Sequence, residues 1–224
     1  EATRLVLQPA TPLYYHAGQC ITLRRPDGLA RSYSLASVPF LDMALELHIR
    51  RMPDGRMSNR ISDELQVGQD LEFQGPNGHC FYASDDPHKP LLLIGTGTGL
   101  APLYGVLRDA LFSGHKGEIR LYHGSRLDTG LYLRKRLIEI AGQHSNFHYH
   151  PCVSSGVAPA NYKSGRASDI ALEETEDLKG WSVYLCGDPG MVQDTQRKVY
   201  LAGAATRDIH ADAFQFRDLR IKGE

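Results

Sequence analysis

Long apolar runs and grouped cysteines are both lacking in this 224-residue chain. The longest aliphatic run covers residues 91–94, whereas a membrane-spanning helix needs about 20 apolar residues, so the sequence predicts no membrane span. No two of the cysteines (Cys20, Cys80, Cys152 and Cys186) form a C-x-x-C pair. That spacing argues against zinc and excludes a plant-type iron–sulfur motif within the chain. Without a disulfide framework or a secretory signal, we expect reduced thiols in a cytoplasmic protein.

A surplus of one charge is also lacking. The chain has 25 Lys and Arg residues against 26 Asp and Glu residues, a net charge of −1, so nothing indicates a nucleic acid partner. The histidine group His144, His148 and His150 has no familiar ligand spacing; we interpret it as a solvated loop and expect no metal. The sequence opens without an initiator methionine, from which we expect a fragment with sequence missing upstream.

The first part of the chain, residues 1–86, has the texture of short strands. Residues 45–50 alternate, with Leu45, Leu47 and Ile49 on one face. Turn signals at residues 26–28, 53–55 and 75–78 separate the strand-like runs. One helix is predicted to start at Ser58. This pattern indicates a small antiparallel β-barrel domain.

A linker is predicted at residues 85–90, and the second domain is taken to begin within it, at residue 87. From there to residue 224, strands alternate with helices. Residues 91–94 are continuously apolar, as in a strand buried on both faces of a parallel sheet. An amphipathic helix follows and is predicted to stop at Gly114. Further strands are predicted at 118–123, 146–153 and 182–186, and further helices at 132–142, 168–174 and 191–202. Such alternation indicates a Rossmann-like α/β domain with a parallel sheet.

A glycine-rich turn, residues 95–99 (Gly-Thr-Gly-Thr-Gly), joins the buried strand to its helix. Glycines there admit a phosphate close to backbone N–H groups at the helix start, although the same glycines could serve only a tightly packed turn. The second strand lacks the acidic residue that usually binds a ribose 2′-hydroxyl and is followed by Ser125 and Arg126. Arg126 either contacts a 2′-phosphate, which would favour NADPH, or is a solvated surface residue.

Three segments together resemble the ferredoxin–NADP reductase superfamily, in particular its oxygenase-reductase and flavin-reductase branches. They are residues 31–34 (Arg-Ser-Tyr-Ser), residues 95–102 (Gly-Thr-Gly-Thr-Gly-Leu-Ala-Pro) and residues 186–191 (Cys-Gly-Asp-Pro-Gly-Met). The three segments occur in the order and at the spacing of that family, and together they extend over almost the whole chain. The resemblance implies a flavin-binding antiparallel barrel followed by a nicotinamide-binding α/β domain.

The resemblance also implies roles for individual residues. Arg31 should reach a flavin phosphate and Tyr33 should lie against the isoalloxazine, whereas Ser34 near flavin N5 and Cys186 beside the nicotinamide are the implied catalytic residues. Phe214, with Phe216 as second choice, should cover the flavin, unless it only packs against the sheet. The implied cofactor-binding set is Arg31, Tyr33, Ser34, His48, Ile49, Arg50, Gly55, Met57, Ser58, Gly95, Thr96, Gly97, Thr98, Gly99, Pro102, Ser125, Arg126, Cys186, Gly187, Pro189, Met191 and Phe214.

The implied reaction is hydride transfer from NADH or NADPH to FAD, followed by electron transfer to an iron–sulfur or oxygenase acceptor. The acceptor would be a separate protein or an adjoining 2Fe–2S ferredoxin domain. A reductase of free flavin, a globin-fused reductase and a non-catalytic regulatory relative remain alternatives. Residues 55–58 (Gly-Arg-Met-Ser) resemble a family segment that holds the FAD pyrophosphate, which favours bound FAD over free flavin.

Overall fold

The computed structural model describes residues 2–83 and 85–214. The first half contains five strands in two antiparallel sheets, joined by a backbone bridge between Leu35 and Leu47. One sheet pairs β1 with β4, and in the other β2 lies between β3 and β5. The strands are β1 Ala2–Leu7, β2 Cys20–Arg24, β3 Ala30–Ser34, β4 Leu45–Arg50 and β5 Glu72–Asn77. The predicted antiparallel, barrel-like architecture is confirmed.

Alternation along β4 builds the core of this half. Leu45, Leu47 and Ile49 are 3%, 0% and 1% exposed and pack with apolar residues of β2 and β3. On the opposite face Arg50 is exposed, but His48 is buried. Because β4 is covered on this side as well, its polar face becomes part of the junction between the two halves.

The helix of the first half starts two residues before the predicted Ser58. Helix α1 spans Arg56–Asn59 and continues as a π turn over Arg60–Glu64. Gly55, in an extended conformation, precedes it. The sequence predicted one helix in this half, but the predicted first residue of that helix was wrong by two positions.

The second half is a six-stranded parallel sheet with helices on both faces. Its strand order is β11-β10-β6-β7-β8-β9. The strands are β6 Leu91–Thr96, β7 Ile119–Ser125, β8 Phe147–Val153, β9 Lys163–Ser164, β10 Ser182–Gly187 and β11 Ile209–Ala213. The helices are α2 Leu100–Phe112, α3 Arg134–Gln143, α4 Ala167–Glu173 and α5 Pro189–Leu201. Apolar side chains of α2 and α3 fill one face, and those of α4 and α5 fill the other, as the sequence predicts.

Two strands of this sheet were not predicted. Strand β9 has only two residues, and β11 (Ile-His-Ala-Asp-Ala) is rich in small and polar residues. Both lie at sheet edges, where a strand needs less apolar surface than in the centre. Strand β11 matters for function because it carries Asp212 to the same end of the sheet as the glycine-rich turn.

The two halves meet in close contact along α2. A Cβ atom built on Gly105 would lie 3.0 Å from the Leu35 carbonyl oxygen and 3.1 Å from the Gly18 nitrogen. Gly18 itself has φ +99°, and a Cβ there would collide with the Cys80 carbonyl oxygen. Position 18 therefore requires glycine for both its conformation and its packing, and a side chain at Gly105 would fit only tightly. A cleft is lined by residues of both halves beside this contact.

Candidate functional site

A large cleft of about 1920 Å³ is lined by residues of both halves. Its floor is formed where β6, β7, β10 and β11 end, which is where open α/β sheets bind ligands. A volume above the roughly 300–1000 Å³ of ordinary small-molecule pockets leaves room for extended ligands such as dinucleotides. Cationic side chains lining it include Arg31, Arg50, Arg126 and Arg166.

The glycine-rich turn lies at the centre of the cleft, and its glycines have different roles. Cβ atoms at Gly95 and Gly99 would collide with the Leu103 side chain (at 2.6 Å) and with the Cys186 carbonyl oxygen, respectively. These two glycines are required by packing. Gly97 instead has φ +54°, and a Cβ there would meet only an Arg50 nitrogen at 3.9 Å. Gly97 therefore gives the turn its left-handed conformation and leaves its cleft side open.

Residues 31–34 form the barrel side of the cleft. Arg31, Tyr33 and Ser34 all line it, and burial raises the pKa of Tyr33 to about 12. The Ser34 hydroxyl donates a hydrogen bond to Asp212 Oδ2 at 3.2 Å across 178 residues of sequence. Burial raises the pKa of Asp212, against the lowering effect of this hydrogen bond.

Sequence reasoning missed Asp212. The sequence signal that could have identified it is a single acidic residue next to two alanines, just before Phe214. Only the parallel pairing of β11 with β10 brings Asp212 beside Ser34. Phe214 lines the same part of the cleft, and its N–H donates to the Gly187 carbonyl oxygen at 2.9 Å. Phe216 lies outside the described residues.

Cys186 lies beneath the cleft floor. It is fully buried, and its Sγ is 3.4 Å from the Sγ of Cys80 on the other half. Burial raises the pKa of the Cys186 thiol well above its usual range. Its strand neighbour Gly187 lines the cleft, with φ +122° and a would-be Cβ 2.6 Å from the Thr96 carbonyl oxygen. The implied place of Cys186 beside a nicotinamide remains a prediction.

The segment from Gly55 to Ser58 lines the barrel end of the cleft. The Ser58 hydroxyl donates to the Gly55 carbonyl oxygen at 3.1 Å and accepts from the Met52 N–H at 3.1 Å. A Cβ at Gly55 would collide with this hydroxyl. Ser58 thus shapes the loop, and the loop packs too tightly at Gly55 for any side chain there.

Most of the predicted residues converge on the cleft. Those that line it are Arg31, Tyr33, Ser34, His48, Arg50, Gly55, Met57, Ser58, Thr96, Gly97, Thr98, Ser125, Arg126, Gly187, Met191 and Phe214. The remainder lie behind it: Ile49, Gly95, Gly99, Pro102, Cys186 and Pro189 pack in the core, in the turn or at helix starts.

His48 is held by two residues that sequence reasoning also missed. Its Nε2 lies 2.8 Å from Glu46 Oε1, and its Nδ1 lies 3.1 Å from the Tyr132 hydroxyl. Burial would raise the pKa of Glu46, but hydrogen bonds from His48 and Arg4 outweigh it and lower the pKa to about 2. Tyr132 and His48 both line the cleft.

These features match known protein families. The family described as oxidoreductase FAD-binding domain matches residues 2–82, and the oxidoreductase NAD-binding domain family matches residues 93–197. In the part of the chain that the structure describes, no helix is long and apolar enough to cross a membrane.

Two relatives support the assignment to FAD-binding and NAD-binding oxidoreductase families. The reductase subunit of an aromatic O-demethylase from Amycolatopsis sp. is 38% identical over 218 residues, covering 96% of this chain and 65% of that protein. The ferredoxin–NAD(P)(+) reductase component of the naphthalene 1,2-dioxygenase/salicylate 5-hydroxylase systems of Ralstonia sp. is 36% identical over 96% of this chain and 65% of its own length. The chain thus spans 65% of the length of these two relatives.

A solved structure has the same fold as this chain. The Amycolatopsis cytochrome P450 reductase superposes with a TM-score of 0.89 at 37% identity, over 96% of this chain and 67% of that one. Fold and family matches define a pair of oxidoreductase domains, one of the FAD-binding and one of the NAD-binding type. The chain belongs to the ferredoxin–NADP reductase superfamily, as the three sequence segments predicted, and it carries that family's FAD-binding and NAD-binding domains.

Proposed function

We propose that the chain takes hydride from NADH or NADPH onto FAD and passes the electrons to an iron–sulfur or oxygenase acceptor. The observation that carries this proposal is the cleft in which residues 31–34 of the barrel face the turn at Thr96–Thr98. We also propose a domain boundary between residues 86 and 87. The interval from 83 to 92 that separates the two family matches supports it.

The residues of the cleft fit FAD. Gly97 leaves the cleft side of the turn open, the Gly55 loop lines the barrel end, and the Arg31 guanidinium can pair two phosphate oxygens at once. Bound there, FAD would supply the ring that accepts the hydride and passes electrons on. Tyr33 is assigned to the ring face, where an aromatic side chain gives contact area with little entropic cost.

Ser34 and Asp212 are assigned to proton handling at flavin N5. The Ser34 hydroxyl already donates to the Asp212 carboxylate, so a proton can move between the cleft and the carboxyl group through this pair. A carboxyl group whose pKa is raised by burial takes up a proton more readily near neutral pH than an exposed one.

The nicotinamide nucleotide is assigned to the α/β side of the cleft. Thr96, Thr98 and Gly187 line the part next to Ser34, where Phe214 also lies. Ser125 and Arg126 share the lining with Ser155 and Arg166, which suits a ribose that carries either a hydroxyl or a phosphate. Cys186 is assigned to the floor beneath the nicotinamide.

The acceptor is assigned from the relatives. Their names describe reductases of an O-demethylase and of a dioxygenase system, and about a third of their length lies outside the matched part. An adjoining 2Fe–2S ferredoxin domain, or a separate acceptor protein, would account for the onward transfer. The FAD-binding family match favours this over reduction of free flavin. Four free cysteines support the cytoplasm as the location.

An anaerobic absorbance spectrum, recorded before and after adding NADH or NADPH, tests the function. We expect flavin bands in the purified protein that bleach with at least one nucleotide. A colourless protein that oxidises the nucleotide only with added free flavin would identify a flavin reductase. Failure of FAD and nucleotide to react in the protein at all would reject the proposal.

A further inference from the structure

A chain of side chains crosses from the barrel to the α/β half at the edge of the cleft. Arg4 Nη2 is 2.7 Å from Glu46, Glu46 is 2.8 Å from His48, and His48 is 3.1 Å from the Tyr132 hydroxyl. The last contact joins residues 84 positions apart. His48 stands on β4 of the barrel, and Tyr132 lies two residues before the start of α3 in the α/β half.

With a neutral His48 imidazole, its partners set the direction of these hydrogen bonds. Glu46 is ionised at neutral pH because its pKa is lowered to about 2, so its oxygens accept and His48 Nε2 carries the donated proton. In the neutral imidazole, Nδ1 then accepts. Burial raises the pKa of Tyr132 well above its usual range, so the phenol keeps its proton and donates to Nδ1.

The Tyr132 ring also links the chain to the sheet. It meets the His48 ring edge-on at 5.3 Å and 86°, and the His123 ring at 5.8 Å and 88°. His123 is fully buried on β7, and burial lowers its pKa to about 4. Its Cα partner across the sheet is Gly95, the first residue of the glycine-rich turn. Tyr132 therefore stands between the barrel strand β4 and the strand beside that turn.

This arrangement differs from ordinary core packing. Both His48 and Tyr132 line the cleft, so their hydrogen bond lies across the boundary between the halves, next to the space assigned to the two cofactors. On the same strand β4, the Arg50 guanidinium approaches Gly97. A shift of β4 relative to the turn would stretch the His48–Tyr132 bond directly.

We propose that the His48–Tyr132 hydrogen bond is a positioning contact that holds the barrel and the nicotinamide turn at the spacing required for hydride transfer. The proposal rests on the proposed function and deepens it. Hydride transfer needs reacting atoms at roughly 3–3.5 Å, and a misplacement of about 1 Å can cost about 100-fold in rate. His48, Tyr132 and Glu46 are positioning residues: they set the distance between domains and take no part in the chemistry.

Four single variants separate positioning from general stability. Tyr132→Phe keeps the ring and removes only the hydroxyl. Tyr122→Phe is the matched control, because the Tyr122 hydroxyl also donates to an ionisable group, Glu174 at 2.9 Å, but outside the cleft. The other two variants each keep one half of the hydrogen bonding of His48. In His48→Asn the amide oxygen can replace the Nδ1 acceptor, and in His48→Gln the amide nitrogen can replace the Nε2 donor.

The measurements are the rate of flavin bleaching by saturating nucleotide in stopped flow, the apparent nucleotide affinity, and the flavin content. We expect Tyr132→Phe to slow bleaching about tenfold, as the loss of one aligned hydrogen bond allows, with affinity changed less than about twofold. Tyr122→Phe should behave as wild type. His48→Asn should retain more of the rate than His48→Gln, because only the former keeps a partner for Tyr132.

A second readout does not depend on turnover. Nitrogen-15 spectra of the histidine rings should show His48 as the Nε2-protonated tautomer, and Tyr132→Phe should shift its Nδ1 resonance while Tyr122→Phe leaves it in place. If wild type bleaches and Tyr132→Phe bleaches equally fast, the positioning role is refuted and the proposed function stands. If both Tyr variants slow bleaching alike, a general loss of stability explains the effect and the role is again refuted. If wild type does not bleach, both proposals fail.

Discussion

Replacing Asp212 with asparagine should make the protein more stable and its reaction slower. The Ser34–Asp212 distance of 3.2 Å is long for an O–H···O bond, whose usual value is about 2.7–2.8 Å. A bond of this kind contributes about 1 kcal/mol, and the asparagine oxygen can still accept it. Little stabilisation is therefore lost, while the cost of burying a carboxylate, which raises the pKa of Asp212, disappears.

The pH dependence gives this prediction its sign. Since the folded pKa of Asp212 is raised above that of the unfolded chain, the folded protein binds the proton more tightly, and stability falls as pH rises through the folded pKa. The free energy of unfolding of Asp212→Asn should therefore exceed that of wild type most at neutral pH. The difference should shrink as pH falls through the raised folded pKa and vanish near the usual carboxyl pKa of about 4. Thermal unfolding from pH 4 to 8 measures it.

The reaction should respond in the opposite direction. An asparagine can hold the Ser34 hydroxyl but cannot take up its proton. The hydride carries its own hydrogen to N5, so bleaching needs no proton from this pair, whereas reoxidation of the flavin must release the proton on N5. We therefore expect reoxidation of the bleached flavin by an added one-electron acceptor to slow by about 100-fold, the scale of one lost acid–base group. Asp109→Asn is the matched control, because burial also raises the pKa of Asp109 and the residue lies outside the cleft. If Asp212→Asn is reoxidised at the wild-type rate, or if both variants are slowed equally, the proton-handling role is refuted.

Three further substitutions test the assignments in the cleft. Arg31→Ala should weaken FAD retention by roughly 10–100-fold, the loss of a charge-assisted hydrogen bond, with little change in unfolding; full flavin after gel filtration would contradict the assignment. Arg126→Ala should raise the KM for NADPH and spare that for NADH if the guanidinium meets a 2′-phosphate, and equal effects on both would exclude that contact. Gly99→Ala should lower the free energy of unfolding by about 1–3 kcal/mol, since its Cβ collides with the Cys186 carbonyl oxygen; an unchanged urea midpoint would show that the turn can relax.

Local sequence patterns predicted most of the elements. The alternation of Leu45, Leu47 and Ile49 placed β4, and the apolar run at 91–94 placed β6, because burial on one or both faces imposes these patterns directly. The glycine-rich turn was found for the same reason: a strand that turns tightly into a helix needs glycine at Gly97.

Partners distant in sequence could not be predicted in this way. The pairs Ser34–Asp212 and His48–Tyr132 depend on the strand order of the sheet and on the packing of the two halves. No local period encodes such a pair. Likewise, the sequence could not distinguish Gly97 from Gly99, because the carbonyl that excludes a side chain at Gly99 comes from β10.

The position of β11 at the edge of the sheet has a consequence for synthesis. Strand β11 pairs only with β10 in the sheet, after every other strand of the described residues has been made. It nevertheless supplies Asp212, and the residue that follows it, Phe214, also lines the cleft. A nascent chain can therefore assemble the other ten strands of the described residues on the ribosome and still lack a complete cleft. Electron transfer would begin only when residues 209–214 have left the exit tunnel, so unfinished chains would not reduce a flavin in an incomplete site.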